Sequence, residues 1–332
     1  MSAEQIVDIT VVGGGPTGLA AAYYGAHRDA SVRIVESLEQ LGGQVAAVYP
    51  EKHIFDVAGF PRINGQALIN QLIEQAMQYD PEVRLGTVID RIHHRDDDVI
   101  ELHTSGGEQL LTRTMIITAG HGAFNPRKLG LPELEQFEGS GVHYFVKEKA
   151  QFAGKKVALV GGGDSALDWA MGLQDTAELP IMLIHRRDRF RGLESSVNEV
   201  RRLESEGRVR ILTPHEVRNA EGNGRIEAIH VENTETGETE RIEVDAVVTL
   251  LGFISHLGPI ADWGLEFENK RQIKVNQIME TNLPGVYAAG DMAGYDGKIT
   301  LITIGFSEAA IAANHAVARI RGEKAQPKYS TE

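Results

Sequence analysis

The 332-residue sequence contains no cysteine. That excludes a disulfide framework, a thiolate nucleophile, a redox dithiol, a zinc thiolate site and a cysteine-bound iron–sulfur cluster, so any redox centre must be borrowed. Long apolar runs are missing too. No stretch approaches the ~20 residues of a spanning helix, and the opening MSAEQIVDI has neither the basic flank nor the apolar centre of a signal peptide. The expectation is a cytoplasmic protein with no membrane association. Positive charge is in deficit: 33 Lys and Arg against 47 Asp and Glu leave a formal net charge of −14. With no basic stripe covering a domain, this argues against nucleic-acid binding. The 12 histidines include no His-x-x-x-His pair, and His93 and His94, beside RDDD, read as a surface turn. No metal is expected.

What is present is a plan used twice. The first unit runs from the β-branched strand IVDITVV through GGGPTG into an alanine-rich helix and a second strand, SVRIVES. A helical pattern over 66–79 follows, then an alternating hairpin turning at Ser105-Gly106-Gly107, then the apolar strand TMIITAG. The second unit repeats the order: KKVALV, GGGDSA, a helix, IMLIHRR, another helix, a hairpin turning at Thr236-Gly237, and AVVTLLG. The remainder holds VYAAGD and a helical pattern over about 300–320, and is too short to bury a core alone. It is expected to complete the first domain. The expected fold is α/β, with two Rossmann-like domains of the ββα type, the second (124–252) inserted between the parts 1–123 and 253–332 of the first.

Both glycine loops follow a strand and precede a helix, the context in which glycines let a pyrophosphate approach free amides at a helix start. In the first loop Gly13, Gly15 and Gly18 hold the three positions; in the second they are Gly161, Gly163 and Ala166, with Asp164 and Ser165 between. The next strands end differently. Glu36 ends the first, and its carboxylate suits the hydroxyls of an unmodified ribose. HRRDRFR ends the second, and Arg186, Arg187 and Arg191 suit a 2′-phosphate, so the second site reads as NADPH. The first site fits FAD or NAD. FAD is the expectation, because two nicotinamides give electrons no way out, whereas a flavin takes hydride and releases electrons singly.

GGGPTGLAAAYY, GGQVAAVYPEKHIFDVAGFP, ITAGHGAFNPRKL, FAGKKVALVGGGDSALDWA, IHRRDRFR, METNLPGVYAAGD and the closing QPKYSTE together resemble the ferredoxin–NADP reductases of the thioredoxin-reductase-like type, within the pyridine nucleotide-disulfide oxidoreductase superfamily. The resemblance runs essentially end to end. Where thioredoxin reductases carry a redox Cys-x-x-Cys, this chain has GVHYFV nearby, so no disulfide relay is implied. The resemblance implies FAD contacts at Thr17, Glu36, Gln44, Tyr49, Ile89, Phe124, Asp291 and Thr331, with Ser330 nearby. Tyr49 would stack on the flavin, Tyr329 would cover its other face, and Asp291 would accept a ribityl hydroxyl. It further implies a homodimer that moves electrons between NADPH and ferredoxin or flavodoxin with no side-chain acid or base. An acidic partner would need basic ground, for which Arg127 and Lys128, 147–156 and 319–328 are candidates. Rival readings of the same two sites are reduction of a small disulfide, a quinone or oxygen, and a non-catalytic NADPH-sensing flavoprotein.

Overall fold

The central strand Ile6–Val12 is buried over nearly its whole length, which a β-branched strand achieves only in a sheet covered on both faces. The computed structural model describes residues 6–323, without the side chains of 123–125 and 255. It divides into two compact units, Met1–Phe124 with Ser255–Glu332, and Asn125–Ile254.

In the first unit five parallel strands lie in the order Glu82–Arg84, Val32–Val35, Ile6–Val12, the second half of Gln109–Ile117, and Val286–Ala288. The first half of Gln109–Ile117 instead pairs antiparallel with Ile100–Thr104, which pairs in turn with Ile89–His94. His93 and His94 therefore end a strand, opposite Glu101 and Ile100, and are not the expected turn; the turn lies beyond them at 96–98. Alternation of apolar residues stops at Ile92, but backbone pairing does not need apolar side chains and carries the strand on. Helix Pro16–Ala26 opens with Pro in its first turn and buries Gly18, Leu19, Ala20, Ala21, Ala22, Gly25 and Ala26. Its small side chains receive the alanine face of helix Ile302–Arg321, where Ala309, Ala312, Ala313 and Ala316 are fully buried.

The second unit repeats the order. Its parallel strands run Val209–Leu212, Glu178–Ile184, Lys156–Val160, Ala246–Thr249 and Val142–His143. An antiparallel sheet of His215–Glu221, Ala228–Asn233 and Thr239–Glu243 stands beside it. Two differences separate the copies. The long strand of the first unit is unbroken, whereas its counterpart breaks between Thr239–Glu243 and Ala246–Thr249. The outer strand beyond it comes last in the first unit and first in the second.

Candidate functional site

The first loop divides its glycines between two tasks. At Gly13, φ is +109°, and an added Cβ would lie 2.6 Å from the Thr118 carbonyl oxygen; at Gly18 it would lie 1.8 Å from that of Gly13. These two lock loop to strand and helix. At Gly15 an added Cβ would meet only Gly43 Cα, at 3.8 Å, so the space above this glycine is open. Gly15 is also the N-cap of helix Pro16–Ala26, whose start has neither a side-chain cap nor an acidic residue in its first turn. Amides of such a turn have no intrahelical partner and favour an anion. By contrast Asn64 caps Gly65–Met77 by accepting from the amides of Gln66 and Ala67.

Glu36 ends the second strand, buried and held in place. Its Oε2 accepts the Gly14 amide at 2.7 Å and its Oε1 the Leu38 amide at 2.8 Å, leaving lone pairs for a further donor. Its carbonyl accepts the Thr87 amide at 2.9 Å, which brings the chain leading to Ile89 beside it. Ile89 itself is 4% exposed, so only its backbone could face a ligand. Helix Gly43–Val48, which carries half-buried Gln44, starts against Gly15, with the Gly42 amide donating to the Gly14 carbonyl at 2.8 Å.

Tyr49 follows that helix and is pushed up to about 12, first by burial and then by the charges of Asp291 and Asp56. Its phenol is neutral at physiological pH and lies within electrostatic reach of Asp291. Asp291 sits in the turn Gly290–Met292, its Oδ2 3.4 Å from His121 Nδ1. Thr17 is wedged against the same turn: an added Cβ at Gly290 would lie 2.8 Å from Thr17 Oγ1. Gly13, Gly15, Thr17, Gly18, Glu36 and Gln44 thus share one end of the sheet, with Tyr49 and Asp291 within electrostatic reach of one another. The side chain of Phe124 lies outside the described residues, as do Tyr329, Ser330 and Thr331.

The second loop works alike. An added Cβ at Gly161 would lie 2.6 Å from the Leu250 carbonyl oxygen, while one at Gly163 would meet nothing within 4 Å. Gly163 caps helix Asp164–Gly172, where Ala166 is buried and Ser165 exposed. Two bonds fold the arginine segment back onto this loop: the Arg191 amide donates to Gly162 O at 2.7 Å, and the Leu193 amide to Asp164 Oδ1 at 2.8 Å. Arg186, Arg187 and Arg191 are exposed and form no ion pair among the described residues. Elsewhere Arg202 and Arg210 are held by carboxylates. Three unspent guanidiniums beside the open space at Gly163 form an anion site in waiting, at a helix start that, unlike the first, carries an acid, Asp164.

Four functional candidates escaped the sequence reading. Thr118 Oγ1 donates to Gly13 O at 2.8 Å and pins the first loop. His121 meets Asp291. His185, directly before the arginines, is 7% exposed and stacks on Phe190 with ring centroids 5.5 Å apart; its Nε2 has no partner among the described residues. Burial lowers its pKa, against a backbone hydrogen bond at Arg189 and with smaller help from Arg191, Arg187 and Arg186, which favours the neutral ring. A Cβ at Gly162 would lie 2.2 Å from its Cε1, which explains the middle glycine of this loop. The fourth is a buried pair, Lys298 and Glu308. Proximity to HRRDRFR could have marked His185, and the end of TMIITAG could have marked Thr118 and His121. Nothing in the sequence marks Lys298 with Glu308.

Among the basic clusters, Lys128 pairs with Glu138, Lys156 with Glu243, and Arg319 approaches Asp98 and Glu280; 324–328 lie outside the described residues. Among the described residues no group of three or more His, Asp or Glu is placed to hold a metal, and no helix is long and apolar enough to cross a membrane.

Residues 7–313 match the family described as pyridine nucleotide-disulphide oxidoreductase. The chain is 49% identical to ferredoxin–NADP reductase 2 of Oceanobacillus iheyensis, over 99% of this chain and 98% of that one. It is 48% identical to the ferredoxin–NADP reductase of Thermus thermophilus, over 100% and 98%. Among solved structures it is similar to the thioredoxin reductase of Lactococcus lactis, with a TM-score of 0.77 at 25% identity over 95% of this chain and 99% of that one. It shares its fold with the T. acidophilum thioredoxin reductase, at a TM-score of 0.79 and 24% identity over 96% and 100%.

Proposed function

The chain belongs to the pyridine nucleotide-disulphide oxidoreductase family, and on that premise we propose that it is an FAD-dependent ferredoxin–NADP reductase, moving electrons between NADPH and ferredoxin or flavodoxin. One observation carries this: the chain is nearly half identical, end to end, to ferredoxin–NADP reductases, yet contains no cysteine with which to run a disulfide relay. FAD and NADPH are the cofactors of this reading. FAD, when bound, supplies an acceptor for the two-electron hydride of NADPH and a donor of single electrons, so one NADPH serves two one-electron carriers and one proton is released.

The residues fit both nucleotides. In the first unit the open space at Gly15 and the uncapped helix start would receive the pyrophosphate of FAD, and Glu36 the adenosine ribose. The neutral Tyr49 ring would stack on the flavin, and Asp291 would accept a ribityl hydroxyl. Helix Ile302–Arg321 likewise begins without a side-chain cap or an acid in its first turn, so its amino end favours the negative charge that reduction brings. In the second unit the open space at Gly163 and the free Arg186, Arg187 and Arg191 would hold NADPH. Tyr329, Ser330 and Thr331 complete the flavin site by family resemblance, which also supports a cytoplasmic homodimer. Light scattering of the purified protein tests the dimer.

The decisive experiment mixes purified protein rapidly with NADPH and follows nucleotide consumption with ferredoxin, flavodoxin, a small disulfide, a quinone and oxygen in parallel. The expected result is a yellow protein that bleaches promptly and turns over on ferredoxin or flavodoxin. A colourless protein that refuses added FAD overturns the reading, as does turnover on the disulfide but not on ferredoxin. Bleaching with turnover on no acceptor would make it a sensor.

A further inference from the structure

Behind the turn that carries Asp291 lies a buried ion pair that the nucleotide fingerprints leave unused. The side chains of Lys298 and Glu308 are 5% and 3% exposed, with Nζ 2.5 Å from Oε1. The Tyr295 hydroxyl donates to the same Oε1 at 2.5 Å, and Oε2 accepts the Gly290 amide at 2.7 Å. One carboxylate therefore gathers an ammonium, a phenol and the amide next to Asp291. There is no slack around it. Gly290 has φ +76°, and an added Cβ at Gly305, one turn before Glu308, would lie 2.4 Å from Thr17 Oγ1.

Stability alone does not account for the pair. Burying two charges costs about as much as their attraction returns, and apolar side chains of the same volume often serve as well or better. What apolar side chains would not supply is a fixed hold on the Gly290 amide and a balanced charge at that place. An unneutralised Glu308 would set a negative charge behind Asp291, and in a low-dielectric setting its field reaches further than that of a surface carboxylate. Reduction adds negative charge to the flavin, so such a field would oppose it.

We propose that Lys298 and Glu308 are positioning residues that fix the Asp291 turn and, by cancelling each other's charge, set how readily the bound flavin is reduced. The inference rests on the FAD reading of this site. Its test compares the FAD midpoint potential and the FAD dissociation constant in wild type, Lys298→Met, Glu308→Gln and the double variant. Lys298→Met should move the potential to more negative values and Glu308→Gln to more positive ones. The double variant, neutral again, should return close to wild type. Each single variant should also hold FAD about tenfold more weakly, equivalent to about 1.4 kcal/mol.

Single variants whose potentials coincide with wild type, or move in the same direction, overturn the proposal and leave the pair a packing feature. If Lys298→Met does not fold, the positive shift in Glu308→Gln and its cancellation in the double variant decide alone. A wild type that holds no flavin overturns the functional reading and the inference with it. A flavin-holding wild type with indifferent variants overturns the inference only.

Discussion

Arg186, Arg187 and Arg191, unlike Arg202 and Arg210, have no carboxylate to answer them among the described residues, and an unspent guanidinium is free to bind a phosphate. Replacing Arg186 and Arg187 with Ala should raise the KM for NADPH by about 10² to 10³, corresponding to roughly 3 to 4 kcal/mol, while the KM for NADH barely changes. Steady-state kinetics with both nucleotides checks this, and an equal loss for both would mean that the arginines do not read the 2′-phosphate. Gly162 is constrained by a neighbour rather than by a ligand. Gly162→Ala drives a methyl into the His185 ring, so it should destabilise the protein by about 1 to 3 kcal/mol, seen as a lower Tm. The arginines were legible in the sequence because their chemistry and their place after a strand coincide. His185 was not, since its meaning lies in a ring packed under a loop more than twenty residues earlier.

Each glycine loop is one element made of residues with separable roles, and substitution can separate them. At Gly161 an added Cβ meets the Leu250 carbonyl, so Gly161→Ala should lower Tm, again by about 1 to 3 kcal/mol in stability. Gly163 has φ −103°, which any residue adopts, and open space where the Cβ would go. Gly163→Ala should therefore leave Tm unchanged or slightly higher, with up to about 1 kcal/mol gained from a less flexible unfolded chain. It should still weaken NADPH binding about tenfold by occupying the pyrophosphate's place, which titration calorimetry reads directly. A loss of stability in Gly163→Ala as large as in Gly161→Ala would place the loop's constraint wholly inside the protein. The spacing of glycines showed that a loop was there. Which glycine faces its own chain and which faces a ligand was hidden, because it depends on Leu250, Thr118 and Gly43, all distant in sequence.

Across the whole molecule the duplication was readable because strand, loop, helix and hairpin recur in one order, and the observed sheets share that order. Less readable was the edge: Val142–His143 and Val286–Ala288 are too short to announce themselves as strands and gain their place from long neighbours. A pH effect spans the first unit. Tyr49, Tyr287 and Tyr295 are each pushed up to about 12, chiefly by burial, from an ordinary value of 10. The folded state thus keeps protons that the unfolded state gives up in this window, so stability is intact below about pH 10 and falls as pH rises toward 12. Urea unfolding at about pH 8, 10 and 11.5 checks this, and a midpoint that holds steady from 10 to 11.5 contradicts it. The outer strand of the first unit has a further consequence, in time. On a ribosome adding about 5 to 20 residues each second, Ile117 emerges on the order of ten seconds or more before Val286, the start of the strand that must lie beside it. The middle of the protein, whose strands all arrive in one unbroken length, can finish first, while the earliest-made third waits with one flank of its sheet bare.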